Sequence, residues 1–346
     1  MDSVSRFSAN DRRVLFERTA GQMQIAPTIV EKDFWVCWTV KRLFSMPLLR
    51  DYLVFKGGTT LSKVYKIIQR FSEDIDLTID RAVFGFGGEN DPEAATSNKK
   101  REKMIQAMRE ACSNYVRNDI RETFARACRE VLGGHDSWNV VVDDRDEDAQ
   151  TLLFNYPPAV TMDSSTAYVE PAVRLEFGSR GEQWPTAKVS IQPYAAEQFP
   201  DVFEKPGTEV TALTAERTFW EKATILHQEA NRRKDNSAPE RCSRHYYDLA
   251  MLSSCSFREK ALDNLGLLQT VVQNKKHFFR CGWAEYDAAK PGTLTLLPPE
   301  YRLKNLREDY RRMQVMMFGD APGFDQVLET LEELQNEINS YANQQD

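Results

Sequence analysis

The segment Lys56-Gly57-Gly58-Thr59-Thr60-Leu61 joins a short apolar run, Tyr52-Leu53-Val54-Phe55, to a helical pattern from Thr59 to about Gln69, and Phe71-Ser72-Glu73-Asp74-Ile75-Asp76-Leu77 follows. Strand, glycine turn, helix, strand is how an α/β sheet domain begins. From Asp74 to Ile79 acidic and apolar residues alternate. Side chains two apart on a strand share a face, so Asp74 and Asp76 point to one side while Ile75 and Leu77 point into the core. Two hard carboxylates on one face suit Mg2+ or Mn2+, which can hold a nucleotide's phosphates and activate an attacking hydroxyl. Alone, such alternation also fits an ordinary exposed strand. Glycines ahead of a helix let a phosphate approach the backbone, where free amides and a hydroxyl from Thr59 or Thr60 favour a triphosphate. Alone, they fit a tight turn with a threonine cap. In this order the two elements form a compound signal for a nucleotide and metal site. No GK[ST] follows the glycines and no GxGxxG is present, which excludes a P-loop and a dinucleotide fold.

Working outward, 346 residues exceed one compact core and predict two domains, or one core with a large helical extension. Hydrophobic residues at 41% and charged residues at 28% are ordinary globular values. No apolar run is long enough to span a bilayer, so no membrane partner is expected. The start, Met1-Asp2-Ser3-Val4-Ser5-Arg6-Phe7, lacks a basic and apolar leader, which predicts a cytoplasmic protein. Cys37, Cys112, Cys128, Cys242, Cys255 and Cys281 form no CxxC pair and read as buried thiols rather than disulfides or metal ligands. A net charge of −7 argues against a general nucleic-acid coat protein but leaves room for local basic patches.

Residues 11 to 46 read as helices, ending near Pro47. A polar, glycine-rich stretch from Gly85 to Asn98 leads into a long helical insertion over about 100–132, with Met104, Met108, Cys112, Tyr115, Phe124, Cys128 and Val131 inward. Further strands read at Asn139 to Val142, Thr151 to Tyr156, Ala172 to Phe177 and Lys188 to Tyr194, where the sheet is expected to end. Beyond Pro206 the pattern is helical: Ala212 to Ala230, Arg244 to Ser253, Glu259 to Asn274, Leu303 to Phe318 and Phe324 to Tyr341. Val327, Leu328, Leu331, Leu334 and Ile338 read as a packed stripe of the last helix. The expected fold is α+β: a mixed-sheet core with N-terminal helices and the helical insertion over 1–205, and a C-terminal helical domain over 206–346 that completes the active-site cleft.

The quoted segments resemble the AbiEii/AbiGii-type nucleotidyltransferase toxins of bacteria, within the polymerase-β-like nucleotidyltransferase superfamily. The resemblance extends to Val30-Glu31-Lys32-Asp33, to Glu216-Arg217-Thr218-Phe219-Trp220-Glu221-Lys222 with His227, and to Arg244-His245-Tyr246-Tyr247-Asp248-Leu249. It implies Asp74 and Asp76 as the metal-binding pair. It also implies Gly57, Gly58 and Thr59, with Thr60 and Ser72 beside them, as the nucleotide cradle, and Lys222 and Asp248 as further site residues. Lys222 reads either as a surface lysine or as a point charge for the triphosphate. Asp248 reads either as a nucleotide or catalytic contact or as a structural ion pair, with Lys222 or Arg244 as partner. Glu176 reads as a third carboxylate, the base for the attacking hydroxyl, or as an ion pair with Arg174 on the same strand face. His227 and His245 lack zinc-like spacing and company, so no zinc is expected.

The implied function is transfer of an NMP from an NTP to an acceptor, expected to be tRNA, by the toxin of a type IV toxin–antitoxin (abortive infection) system with a cognate antitoxin encoded nearby. A phosphotransferase and a non-catalytic nucleotide-binding module stand as alternatives; HRD and DFG motifs are absent. Arg174, Arg180 and Lys188, with Arg232, Arg233, Lys234, Arg241 and Arg244, are the expected basic path for RNA.

Overall fold

β1 (Leu53–Lys56) and β2 (Asp74–Ile79) pair antiparallel in the computed structural model, which describes residues 1–134, 137–161 and 170–344. They lie in a seven-stranded mixed sheet with β3 (Asn139–Val142), β4 (Thr151–Asn155), β5 (Ala172–Gly178), β6 (Thr186–Ile191) and β7 (Thr208–Leu213), in the order β3-β4-β5-β2-β1-β7-β6. β2 runs parallel to β5 and β1 parallel to β7, while β3, β4 and β5 are antiparallel neighbours. β7 corrects the expectation that the sheet ends at Tyr194. Its six residues bury Val210 and Ala212 beside β1, and Thr214 then caps the next helix by accepting the Arg217 N–H. The short strand was hidden because its apolar residues merge with the helical spacing that follows.

The chain divides into two units, residues 1–64 with 71–212 and residues 65–70 with 213–346. β7 moves the crossing into the second unit to Ala212–Leu213, somewhat beyond the expected 205. The first unit adds α1 (Asp2–Ser5), α2 (Ala9–Met23), α3 (Pro27–Ser45), α4 (Gly57–Lys63), α5 (Asn98–Tyr115), α6 (Arg121–Leu132) and α7 (Tyr194–Gln198). Pro27 opens α3, where its fixed φ suits a first helical position. Trp35 stacks on Tyr156 and Trp38 on Phe154, with ring centroids 5.5 and 5.7 Å apart, which fastens α3 to β4 and its end. A π-helical turn, Val116–Ile120, joins α5 to α6 and buries Val116 and Ile120 in line with Met108, Cys112, Phe124 and Cys128.

α4 stops at Lys63 rather than continuing to Gln69. Residues 65–70 belong to the second unit instead: the Tyr65 hydroxyl donates to the Leu213 carbonyl, its ring meets Phe257, and Lys66 takes a left-handed φ of 52°. There the chain forms α8 (Ala215–Ala230), α9 (Ser243–Ser253), α10 (Phe257–Leu262), α11 (Leu265–Phe278), α12 (Glu300–Met313) and α13 (Phe324–Ser340). The single helix expected from Glu259 to Asn274 is two, because the Asn264 side chain accepts the Leu267 N–H and starts α11 anew. Val327, Leu331, Leu334 and Ile338 of α13 are buried, and α13 packs on α9. All six cysteines carry free thiols, four of them buried, and among the described residues no helix is long and apolar enough to cross a membrane.

Phe154 is fully buried and meets Trp35, Trp38, Phe124 and Trp138 in edge or stacked contacts. Phe154→Ala should therefore lower the unfolding free energy by about 3–5 kcal/mol, read as a shift of the urea midpoint at constant m.

Candidate active site

Gly57 begins α4 with a φ of +79°, a conformation in which a side chain is strained. A Cβ there would also stand 1.8 Å from the Asp76 Oδ2 atom. The carboxylate thus lies directly against the glycine backbone, and the spacing of the two motifs is physically coupled. Gly58 follows, buried. The threonine hydroxyls do something other than expected. That of Thr59 donates to the carbonyls of Ser72 and Asp74, and that of Thr60 donates to the Gly57 carbonyl at 2.7 Å. Both residues are buried, so their protons tie α4 to the start of β2 and close the glycine turn; Ser72 contributes through its carbonyl.

Asp74 and Asp76 are partly exposed while Ile75 and Leu77 are buried, the alternation that the sequence implies. Register decides their company. Asp76 stands opposite Lys56 on β1 and beside Glu176 on β5, and Asp74 stands beside Arg174. Residues paired across neighbouring strands share a face, so Lys56, Asp74, Asp76, Arg174 and Glu176 lie together on one side of the sheet. Both readings of Glu176 meet here: it is in register with the acidic pair, and its Oε1 accepts from Arg174 Nε at 2.7 Å. Arg174 also pairs with Asp143. Lys56, which the sequence reading assigned no role, has no ion-pair partner among the described residues; its place before Gly57 was the signal. Among the described residues no group of three or more His, Cys, Asp or Glu side chains is arranged to hold a metal by itself. Two carboxylates on one face fit a Mg2+ ion that takes its other ligands from substrate phosphates and water.

In the second unit Asp248 is fully buried and receives two cations. Arg70 donates through Nε and Nη2 to its two oxygens, both at 2.8 Å, and Lys222 Nζ lies 2.9 Å from Oδ2. Burial would raise the carboxyl pKa, but Arg70 and Lys222 outweigh it and hold Asp248 well below the usual carboxylate range. Of the two partners expected, Lys222 is found on Asp248, and Arg70, which was not expected, joins it. Lys222 also reaches His245 Nδ1 at 3.1 Å. An ammonium can only donate, so Nδ1 is unprotonated and the imidazole is neutral. His227 is a packing residue: its Nδ1 accepts the Thr295 N–H and its Nε2 faces the Glu285 carbonyl. Much of the expected basic path is committed to acids. Arg174 pairs as above, Arg180 with Asp148, Lys188 with Glu209 and Arg232 with Glu229. Arg233 and Lys234 are exposed, and Lys234 lies 5.7 Å from the ring centroid of exposed Tyr301.

With the coupled glycine turn and carboxylate strand in view, comparison with known proteins gives one decisive match: the family model described as "Nucleotidyl transferase AbiEii toxin, Type IV TA system" covers residues 38–330. The chain belongs to the AbiEii family. It is accordingly a nucleotidyltransferase toxin of the type IV toxin–antitoxin class, with a mixed-sheet fold. No curated protein matches it. Among solved structures it is similar to MenT4, a nucleotidyltransferase toxin from Mycobacterium tuberculosis H37Rv, at 16% identity, 95% coverage of this chain, 97% of that one and a TM-score of 0.44. In this AbiEii chain His245 links fold to pH. Burial first, then the charges of Lys222 and Arg244, push its pKa well below 6.5. Below about pH 6.5 the unfolded chain therefore binds a proton that the folded chain does not, and stability falls as pH drops. His245→Asn should make that fall shallower between about pH 6.5 and 5, by roughly 1 kcal/mol per pH unit. Urea titrations at stepped pH read the two slopes, and parallel slopes would contradict a neutral His245.

Proposed function

We propose that this AbiEii chain transfers a nucleoside monophosphate from an NTP to the 3′ end of an RNA, most suitably tRNA, with Mg2+ or Mn2+ held by Asp74 and Asp76. The observation that carries the reading is the contact of the Asp76 carboxylate with the Gly57 backbone, which joins a carboxylate strand to a turn that a phosphate can approach. When bound, the metal supplies charge for the phosphates and for the leaving oxygen. Gly57 and Gly58 admit the triphosphate, and Lys56, opposite Asp76 and without an ion-pair partner among the described residues, offers it an ammonium on that face. Glu176, oriented through Oε1 by Arg174, takes the acceptor hydroxyl's proton as the oxygen–phosphorus bond forms and pyrophosphate departs. Within the second unit, Lys222 is a buried cation held in place by Asp248 and His245. Asp248 is then an orienting residue, since its oxygens are occupied by Arg70 and Lys222.

Two further features support the reading. The family description names a type IV toxin–antitoxin system, which favours a cognate antitoxin as partner and the cytoplasm as its place of action. Exposed Arg233 and Lys234, next to the Tyr301 ring, offer charge and a stacking surface to a single-stranded end.

Purified protein incubated with total tRNA, Mg2+ and each α-labelled NTP in turn should label RNA. Asp76→Asn should reduce labelling by about a thousandfold or more, and Gly57→Ala comparably, because the added Cβ displaces the same carboxylate. Label on protein alone would reject the RNA acceptor; full activity in Asp76→Asn would reject the metal assignment. Arg233→Ala/Lys234→Ala should weaken RNA affinity and flatten its salt dependence by about two logarithmic units, with kcat little changed.

A further inference from the structure

Lys32 and Asp33 are adjacent on α3, and both are almost fully buried, at 2% and 1% exposure. The Lys32 ammonium donates to Glu73 Oε2 at 2.6 Å. Asp33 Oδ1 lies 2.7 Å from the Lys63 ammonium, and its Oδ2 accepts the Tyr194 N–H, also at 2.7 Å. Lys63 Nζ sits 3.6 Å from the Tyr194 ring centroid. Glu73 is the residue before Asp74, and Lys63 ends the helix that Gly57 begins. Between them the chain departs from the first unit, since residues 65–70 belong to the second. The two buried pairs therefore stand at the two ends of that excursion, both anchored on one turn of α3.

Buried ion pairs add little stability compared with apolar residues of similar size, because desolvation cancels much of the attraction. What they add is direction: a short charge-assisted bond tolerates less displacement than an apolar contact. We infer that Lys32 and Asp33 are positioning residues, which fix the glycine turn and the Asp74/Asp76 strand to α3 and so keep Asp76 against Gly57. This rests on the reading of Asp74 and Asp76 as metal-binding carboxylates.

The test removes each pair as a whole, so that no unpaired charge stays buried: Lys32→Met/Glu73→Met and, separately, Asp33→Asn/Lys63→Met. Mn2+ binding is followed by electron paramagnetic resonance on the full chain, with a mixture of α,β-methylene NTP analogues present, alongside thermal melts and transfer rates. Each double variant should melt as a cooperative fold while its half-saturating Mn2+ rises about tenfold, and kcat should fall by about a hundredfold with a much smaller change in the KM for NTP. Lys32→Arg, which retains a donor to Glu73, should recover most of the binding lost in the first pair variant. Unchanged Mn2+ binding in a folded double variant would overturn the positioning role. So would failure of both variants to fold, which would make the pairs a matter of stability. An Asp74→Asn control separates the two readings. If it loses Mn2+ while the pair variants keep it, only the positioning role fails; if it binds as wild type does, the metal reading fails and the positioning role with it.

Discussion

The Asp76 carboxylate rests against a backbone position that has no room for a Cβ, and the geometry of the candidate site follows from that contact. Gly57 must be glycine twice over, once for its φ of +79° and once because a Cβ would lie 1.8 Å from Asp76 Oδ2. For the contact to exist, the end of β1 and the middle of β2 must be held at one spacing. Antiparallel pairing of Lys56 with Asp76 provides the coarse adjustment. The Thr59 hydroxyl, donating to the carbonyls of Ser72 and Asp74, provides a finer one. The threonine hydroxyls of this turn are thus spent on shaping it, which leaves its backbone and the neighbouring charges as the groups that face outward.

Charge in this protein is sorted by burial. On the sheet face, Asp74, Asp76, Glu176 and Lys56 remain partly exposed, where ions and phosphates can exchange with water. One turn of α3 carries the opposite arrangement. Glu31 accepts the amides of Ala159 and Val160, Lys32 pairs with Glu73, and Asp33 pairs with Lys63, so three consecutive charged residues each fasten a different stretch of chain. Consecutive helical side chains point about 100° apart, which lets one turn serve three directions. Apolar side chains could fill the same space, but they would specify direction less sharply.

The second unit repeats the device in a smaller compass. Asp248 holds Arg70 in a two-pronged bond and Lys222 by a single one, while neutral His245 accepts from the same lysine. A buried carboxylate between two cations remains ionised at any working pH, so it can orient Lys222 without taking a proton from it. The Gln69 amide donates to the Tyr247 hydroxyl and Arg70 bridges to Met317, which sets the short segment 65–70 among α9 and the turn after α12.

The sequence by itself determined what local spacing can carry. The period-two alternation in Asp74–Ile79, the glycine pair before a helix, the apolar turns of α3 and the stripe on α13 each report their own burial, because side-chain direction follows backbone period. Motif order was enough to name the family. Tertiary structure alone decided which groups meet across the chain. Arg70 and Asp248 are 178 residues apart, Lys32 and Glu73 are 41 apart, and no periodicity records either partnership. It also decided that β7 is a strand, that α4 ends at Lys63, and that Arg174, Arg180 and Lys188 are committed to Asp143, Asp148 and Glu209. The physical reason is common to these cases: an ion pair or a parallel strand is stabilised by a neighbour that the fold brings from afar, so its signature lies in two places that local sequence cannot relate.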